Sequence, residues 1–509
     1  MDGNIDGWRF CEQAAQGQEM GLNGLDLAVI VLYLGLVTAF GMHFRRRQTT
    51  VRGYFLAGQT IPWWAISLSI VAAETSTLTI ISVPGMAYEH DFRFLQLAIG
   101  YLVGRALICV LLIPSYFRGQ LVTAYQLIER RFGQRLRGLT AGLFLLTRAA
   151  AEGVRVFAVA IVVGIALGGA LGGLGDFARD VAAIAIVTLL TLVYTFKGGM
   201  AAVIWTDVVQ LAVYVTGSVA GLLVMLHMLP GGWAAAYAVA SEAHKFRVFD
   251  FSFAPHATYT FWSGLIGGAF LTTASHGTDQ LIVQRLLSSR SERQAKLALM
   301  MSGVLVMAQF ALFLLIGAVL WVFYQAYPPI VAFQRTDRIF PTFILSYLPH
   351  GVSGLMISAI LAAAMGNLSA ALNSLSSITV VDFYGRWKPE SSEESRVLLG
   401  RKATVGWALV LFALAVVARS GGRVLEMGLS IASVAYGSLL GVFMLGVLTK
   451  RATEDGAMLG MLCGFVLNLY LWQCTSIPYP WYVPLGSVLT FAVGYAASLW
   501  LPAPVEHLE

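Results

Sequence analysis

Long, unbroken apolar stretches constrain this chain more than any other feature. They fall at about 24–44, 62–87, 94–117, 138–170, 179–196, 201–229, 257–284, 298–325, 351–382, 403–418, 425–448, 455–475 and 479–501. A helix needs about 20 apolar residues to cross the hydrocarbon of a bilayer. The stretches are continuous rather than alternating, which excludes a β-barrel. The composition agrees, at 58% apolar and 12% charged with mean hydropathy +0.74. An all-α polytopic membrane protein with about 13 transmembrane helices is expected. One transmembrane domain would cover 24–501, with an outer N-terminal segment 1–23 and a cytoplasmic tail 502–509. The first stretch is too long, and starts too late, to be a cleaved signal peptide.

The net charge of +6 reports topology rather than a nucleic-acid partner. With Arg45, Arg46 and Arg47 placed inside, the loops on that side hold 21 of the 33 Lys and Arg residues, and the opposite loops hold 9. That asymmetry predicts an outer N-terminus and a cytoplasmic C-terminus in a plasma membrane, with a bacterial inner membrane as the expected setting. The four cysteines (Cys11, Cys109, Cys463, Cys474) lack metal-ligand spacing, and a Cys11–Cys474 disulfide at the outer face stays open. The outer loop 230–257 contains an alanine-rich stretch, Ala234–Ala243, suited to a short surface helix. The loop 383–402 reads as a solvated connector.

Three spans carry polar residues where lipid would penalise them. Ala362–Ser377 holds Asn367, Ser369, Asn373, Ser374, Ser376 and Ser377 without a formal charge. Neutral oxygens at that depth suit a desolvated cation, although small polar residues also serve helix packing. The second span is interrupted by Glu74-Thr75-Ser76-Thr77. The seventh holds Gly264, Gly267 and Gly268, followed by Thr272–Thr278. Interrupted helices at corresponding places in two halves point to an inverted-repeat transporter. Glu74 would cost ~2.5–3.5 kcal/mol in mid-membrane unless paired or hydrated. Arg105, Arg148 and Arg155 are its candidate partners, while Arg148, Glu152 and Arg155 share one helix face.

Several segments resemble signatures of the sodium:solute symporter family. They are Lys197-Gly198-Gly199 with Ala202–Gln210, then Gly277–Arg285, then Ala362–Ser377, then Leu439–Arg451, in the family's order. The resemblance spans about 24–475. It implies a LeuT-type core of two inverted five-helix repeats, about 62–229 and 257–448, with flanking helices. It also implies sodium-driven alternating access. The family's sodium site falls on Ala72, Thr75, Ala363, Gly366 and Asn367, where Gly366 and Asn367 replace two serines common in sodium–sugar members. A possible second sodium falls on Asp207 and Ser369, against the reading that Asp207 forms a local cap or salt bridge. In sialic-acid members an arginine near the position of Arg155 holds a carboxylate; internal neutralisation by Glu152 is the competing reading.

The remaining candidates for the substrate pocket are Glu74, Ser76, Thr79, Gln96, Thr272 and Ser275. Ser275 stands where sodium–sugar members place an aromatic gate, and their polar lysine has no counterpart between Leu297 and Phe323. His276 is read as a hydrogen-bonded structural histidine. Asp279 and Arg285 are read as an inner polar network away from the substrate. The expected activity is sodium-coupled import of a small polar solute, favouring a carboxylate-bearing metabolite or amino acid. The expected ligands are a sodium ion and that solute, in contact with the lipid bilayer. A sodium–sugar symporter, proton coupling through Glu74 and a solute sensor are the alternatives. No catalytic dyad or metal motif suggests an enzyme. Solute identity, stoichiometry and oligomeric state are not legible.

Overall fold

The computed structural model describes residues 22–43, 56–118, 124–166, 173–194, 200–329, 333–384, 387–388, 390–420 and 423–500. Cys11, the Arg45–Arg47 cluster, the Lys197–Gly199 stretch and the tail 502–509 lie outside the described residues. The regular elements described are helices. Nine are long and apolar enough to cross a membrane, and a bent pair, Trp63–Glu74 with Thr77–Glu89, makes a tenth. Of the other expected spans, 24–44 and 179–196 are helical over Gly24–His43 and Asp176–Tyr194, and 257–284 is divided.

The elements that build the centre are α1 (Gly24–His43), the broken pair α2 (Trp63–Glu74) and α3 (Thr77–Glu89), α4 (Leu95–Leu111), α5 (Gln134–Ala166) and α6 (Met200–Met228). They are joined by α7 (Gly268–Gly277), α8 (Gln280–Leu287), α9 (Glu292–Ala326), α10 (Val352–Ile378) and α11 (Val424–Leu448). The axes of α2 and α3 differ by 65°. At the break, Thr75 and Ser76 take extended ψ values of 83° and 174°. Irregular backbone at membrane depth survives only where protein or a water-filled cavity surrounds it, and both residues are buried.

The second interruption lies lower than the glycines suggest. Ser263–Gly267 forms a π turn that runs straight into α7, and the chain breaks at Thr278–Asp279. Gly100 and Gly268 permit a close backbone crossing instead. A Cβ on Gly100 would sit 2.1 Å from the Gly264 carbonyl, and one on Gly268 would sit 2.5 Å from that of Leu97. Such contacts replace the hydrophobic drive that lipid removes. The connector 383–402 is half helical, because Ser392 caps a helix that already starts at Glu393.

Two charged side chains near the helix ends tie separate elements together. The alanine-rich stretch forms a helix, Gly232–Glu242, with Ala236 and Ala240 buried. Just beyond it, Lys245 Nζ donates to the carbonyls of Tyr88 and His90 at 2.7 and 2.9 Å, capping α3, and lies over the Trp321 ring. Burial pulls this ammonium below its usual pKa range. In α1, Asp26 accepts from Gly351 N, Gly354 N and Ser353 Oγ at 2.7–3.1 Å, and contacts His350 Nδ1 at 2.8 Å. One carboxylate therefore caps α10, satisfying amides that a helix start leaves without partners. Asp26→Ala should lower the unfolding temperature clearly in a thermal melt of the detergent-purified protein. It strands two buried amides at about 1–3 kcal/mol each.

Candidate functional site

A cavity of about 150 Å3 opens where the α2–α3 break, α5, α7, α8, α10 and α11 converge. At one end it meets an aromatic group. Phe94 packs edge-on against Phe310 and Tyr259, with centroids 5.1 and 5.4 Å apart. At the other end Asp279 and Arg285 stand on the wall.

The break itself creates acceptors. In a continuous helix Ser76 N would reach the Ala72 carbonyl and Thr79 N that of Thr75. Here Ser76 N turns to Glu74 O at 3.0 Å, and Thr79 N turns to Ser76 O at 2.9 Å. The Ala72 and Thr75 carbonyls thus lose their helical donors. On α10, Ala363, Gly366 and Asn367 fall within about one turn of each other, and Asn367 lines the cavity. A Cβ built on Gly366 meets no heavy atom within 4 Å. The Thr75 hydroxyl is engaged elsewhere, donating to Gln309 Oε1 at 3.0 Å.

Four carboxylates around this centre are met by four arginines. Glu74 pairs with the fully buried Arg105, and its Oε2 lies 3.2 Å from His276 Nε2. Arg105 is braced by Ser302 Oγ at 3.2 Å, and Ser275 Oγ lies 2.9 Å from His276 Nδ1. On α5, Glu152 Oε1 meets Arg148 at 2.9 Å and also Arg155. Arg148 further reaches Asp279 at 3.4 Å, which accepts from the Tyr436 hydroxyl at 3.1 Å. Asp207 pairs with Arg285 at 3.1 Å and accepts from Ser69 Oγ at 2.5 Å.

The sequence candidates divide accordingly. Glu74, Ser76, Thr79, Arg155, Ser275 and Asn367 share the cavity wall. Gln96 and Thr272 lie off it. The Gln96 amide receives Asp250 N at 3.0 Å and donates to Tyr259 O at 3.3 Å, holding an outer loop. Thr272 is buried against α4 at Gly104. Asp207 is joined by Arg285, while Ser369 is half-buried on α10 and does not line the cavity. Asp279 and Arg285, read from sequence as remote, stand on the wall because α7 ends at Gly277 and Asp279 caps α8. Tyr436, Tyr101 and Phe310 were not foreseen; as single aromatics within apolar helices they carry no pattern of their own.

The sodium:solute symporter family model matches residues 54–464. The chain is 28% identical over 483 residues to a sodium/sialic acid symporter of Aliivibrio fischeri, covering 92% of each sequence. It is 29% identical over 501 residues to one of Proteus mirabilis, covering 95% of this chain and 97% of that one. A solved substrate-bound, outward-open Na+-coupled sialic acid symporter superposes with a TM-score of 0.79 at 26% identity, covering 94% of this chain and 99% of that one. The LeuT-type architecture and sodium coupling follow, in a multi-pass membrane transporter rather than an enzyme. The chain belongs to the sodium:solute symporter family.

Proposed function

We propose that this protein imports a small carboxylate-bearing solute together with sodium, and that Arg155 clamps the carboxylate. The carrying observation is the position of Arg155. Its side chain is 32% exposed on the cavity wall, against 9% for Arg148 and 0% for Arg105. A guanidinium presents two parallel N–H donors to the two oxygens of a carboxylate. The relatives named above handle sialic acid, which is an anionic sugar. Ser76, Thr79 and Ser275 offer hydroxyls to the remainder of the solute.

Sodium would bind at the Ala72 and Thr75 carbonyls with Ala363, Gly366 and Asn367. The withdrawn helical donors at the break support this assignment. Asp207 is satisfied by Arg285, so a second sodium shared with Ser369 is not part of the reading. The Arg105 pairing favours a fixed charge at Glu74 over a coupled proton. The intended frame is thirteen crossings within 24–501, repeats at about 62–229 and 257–448, an outer N-terminus and a cytoplasmic C-terminus, in a bacterial inner membrane. Its support is the loop charge asymmetry.

Three expected outcomes follow from these roles. Sialic acid should raise the thermal midpoint in sodium chloride but not in choline chloride. Arg155→Met should weaken that response by roughly tenfold or more, the worth of a charge-assisted pair, whereas an unchanged response removes Arg155 from the solute. Gly366→Ser supplies a hydroxyl where there is space for it, so it should lower the sodium concentration needed for half-maximal stabilisation.

A further inference from the structure

Beside the central cavity lies a second, much smaller one of about 20 Å3, bounded by α3, α5 and α10. A space of roughly 10–15 Å3 suffices for one particle the size of a water molecule. Its polar neighbours are Ser76, Thr77, Glu152, Arg155 and Asn367, and the rest of its wall is aliphatic. Two of these residues carry oxygens that are sealed from solvent and have no hydrogen-bond partner, Glu152 Oε2 and Thr77 Oγ1. Both residues are nine-tenths or more buried, at 0% and 2% exposure. An unpaired buried oxygen is destabilising, and more so when charged. Two such oxygens bordering one particle-sized space call for a shared ligand.

We infer that this space is a cation site, taking a desolvated sodium ion with Glu152 as its charged ligand and Thr77, Ser76 and Asn367 as neutral oxygen donors. It shares only Asn367 with the site at the α2–α3 break. With an anionic solute bound, charge favours a cation over a permanent water. Arg148, Arg155, Glu152 and Asp279 form one connected group whose charges cancel. Arg155 borders both cavities. When its guanidinium turns to a solute carboxylate in the larger cavity, Glu152 loses a counter-charge, and a cation in the smaller one restores it. An anionic solute with one sodium moves no net charge. A second sodium makes the cycle electrogenic.

This charge exchange rests on the proposed carboxylate clamp, but the cation site is testable with sodium alone. The full chain in lipid nanodiscs is titrated from choline chloride into sodium chloride at constant ionic strength while its thermal midpoint is followed. The wild type should respond cooperatively. Thr77→Val, equal in shape but without the hydroxyl, should make the response hyperbolic and its higher-affinity component roughly tenfold weaker. Glu152→Gln should do the same, and Thr77→Val decides if that variant fails to fold. A Thr77→Val response identical to wild type would mean that the space holds water and would overturn the inference, leaving the sodium site at the break intact. A wild type indifferent to sodium would overturn both.

Discussion

Charge in a low-dielectric interior must be met locally, and the centre of this protein is organised around that requirement. Removing one partner of a buried pair costs several kcal/mol, so the partners must stay within reach of each other. Each pair here spans different elements or joins one to the next. Glu74 and Arg105 hold the end of α2 to α4, Asp207 and Arg285 hold α6 to α8, and Asp279 links α8 to α5 and α11. Only Glu152 keeps both arginines on its own helix, and of those two only Arg155 has a substantially exposed side chain. Of the four arginines, Arg155 is the most exposed on the cavity wall.

The helix break is the second half of the same design. Extending ψ at Thr75 and Ser76 removes two helical donors from the Ala72 and Thr75 carbonyls. Those carbonyls carry dipoles without formal charge, which suits reversible binding of a small cation. The outer anchors keep this geometry in place, because Asp26 fixes the start of α10 and Lys245 fixes the end of α3. Asp337 adds a further tie, accepting from Ser82 Oγ of α3 at 2.6 Å and from Val424 N of α11 at 3.3 Å.

Much of the architecture was legible in the sequence because lipid imposes length and apolarity on every crossing helix. The break was legible too, since Glu74-Thr75-Ser76 has no apolar reason to be there. What sequence reading lost depended on register and on packing. Gly264 and Gly268 signalled an interruption, yet they serve a close crossing with α4, and the true break came at Thr278–Asp279. Gln96 looked like a pocket residue by position, but its amide faces an outer loop whose path no periodicity reveals. Arg285 could not be matched to Asp207 across 78 positions of chain. Glu152 was visible as a neutraliser of Arg148 and Arg155, whereas its second oxygen emerged only from the packing of α3 and α10.

The most direct measurement is uptake of radiolabelled sialic acid into proteoliposomes containing the purified chain, under an imposed inward sodium gradient and, separately, an inward proton gradient without sodium. Sodium-dependent accumulation above the equilibrium level is the result expected from sodium bound at the helix break with an anionic solute at Arg155. Accumulation driven by protons alone would contradict it, and would return Glu74 to the centre of the coupling.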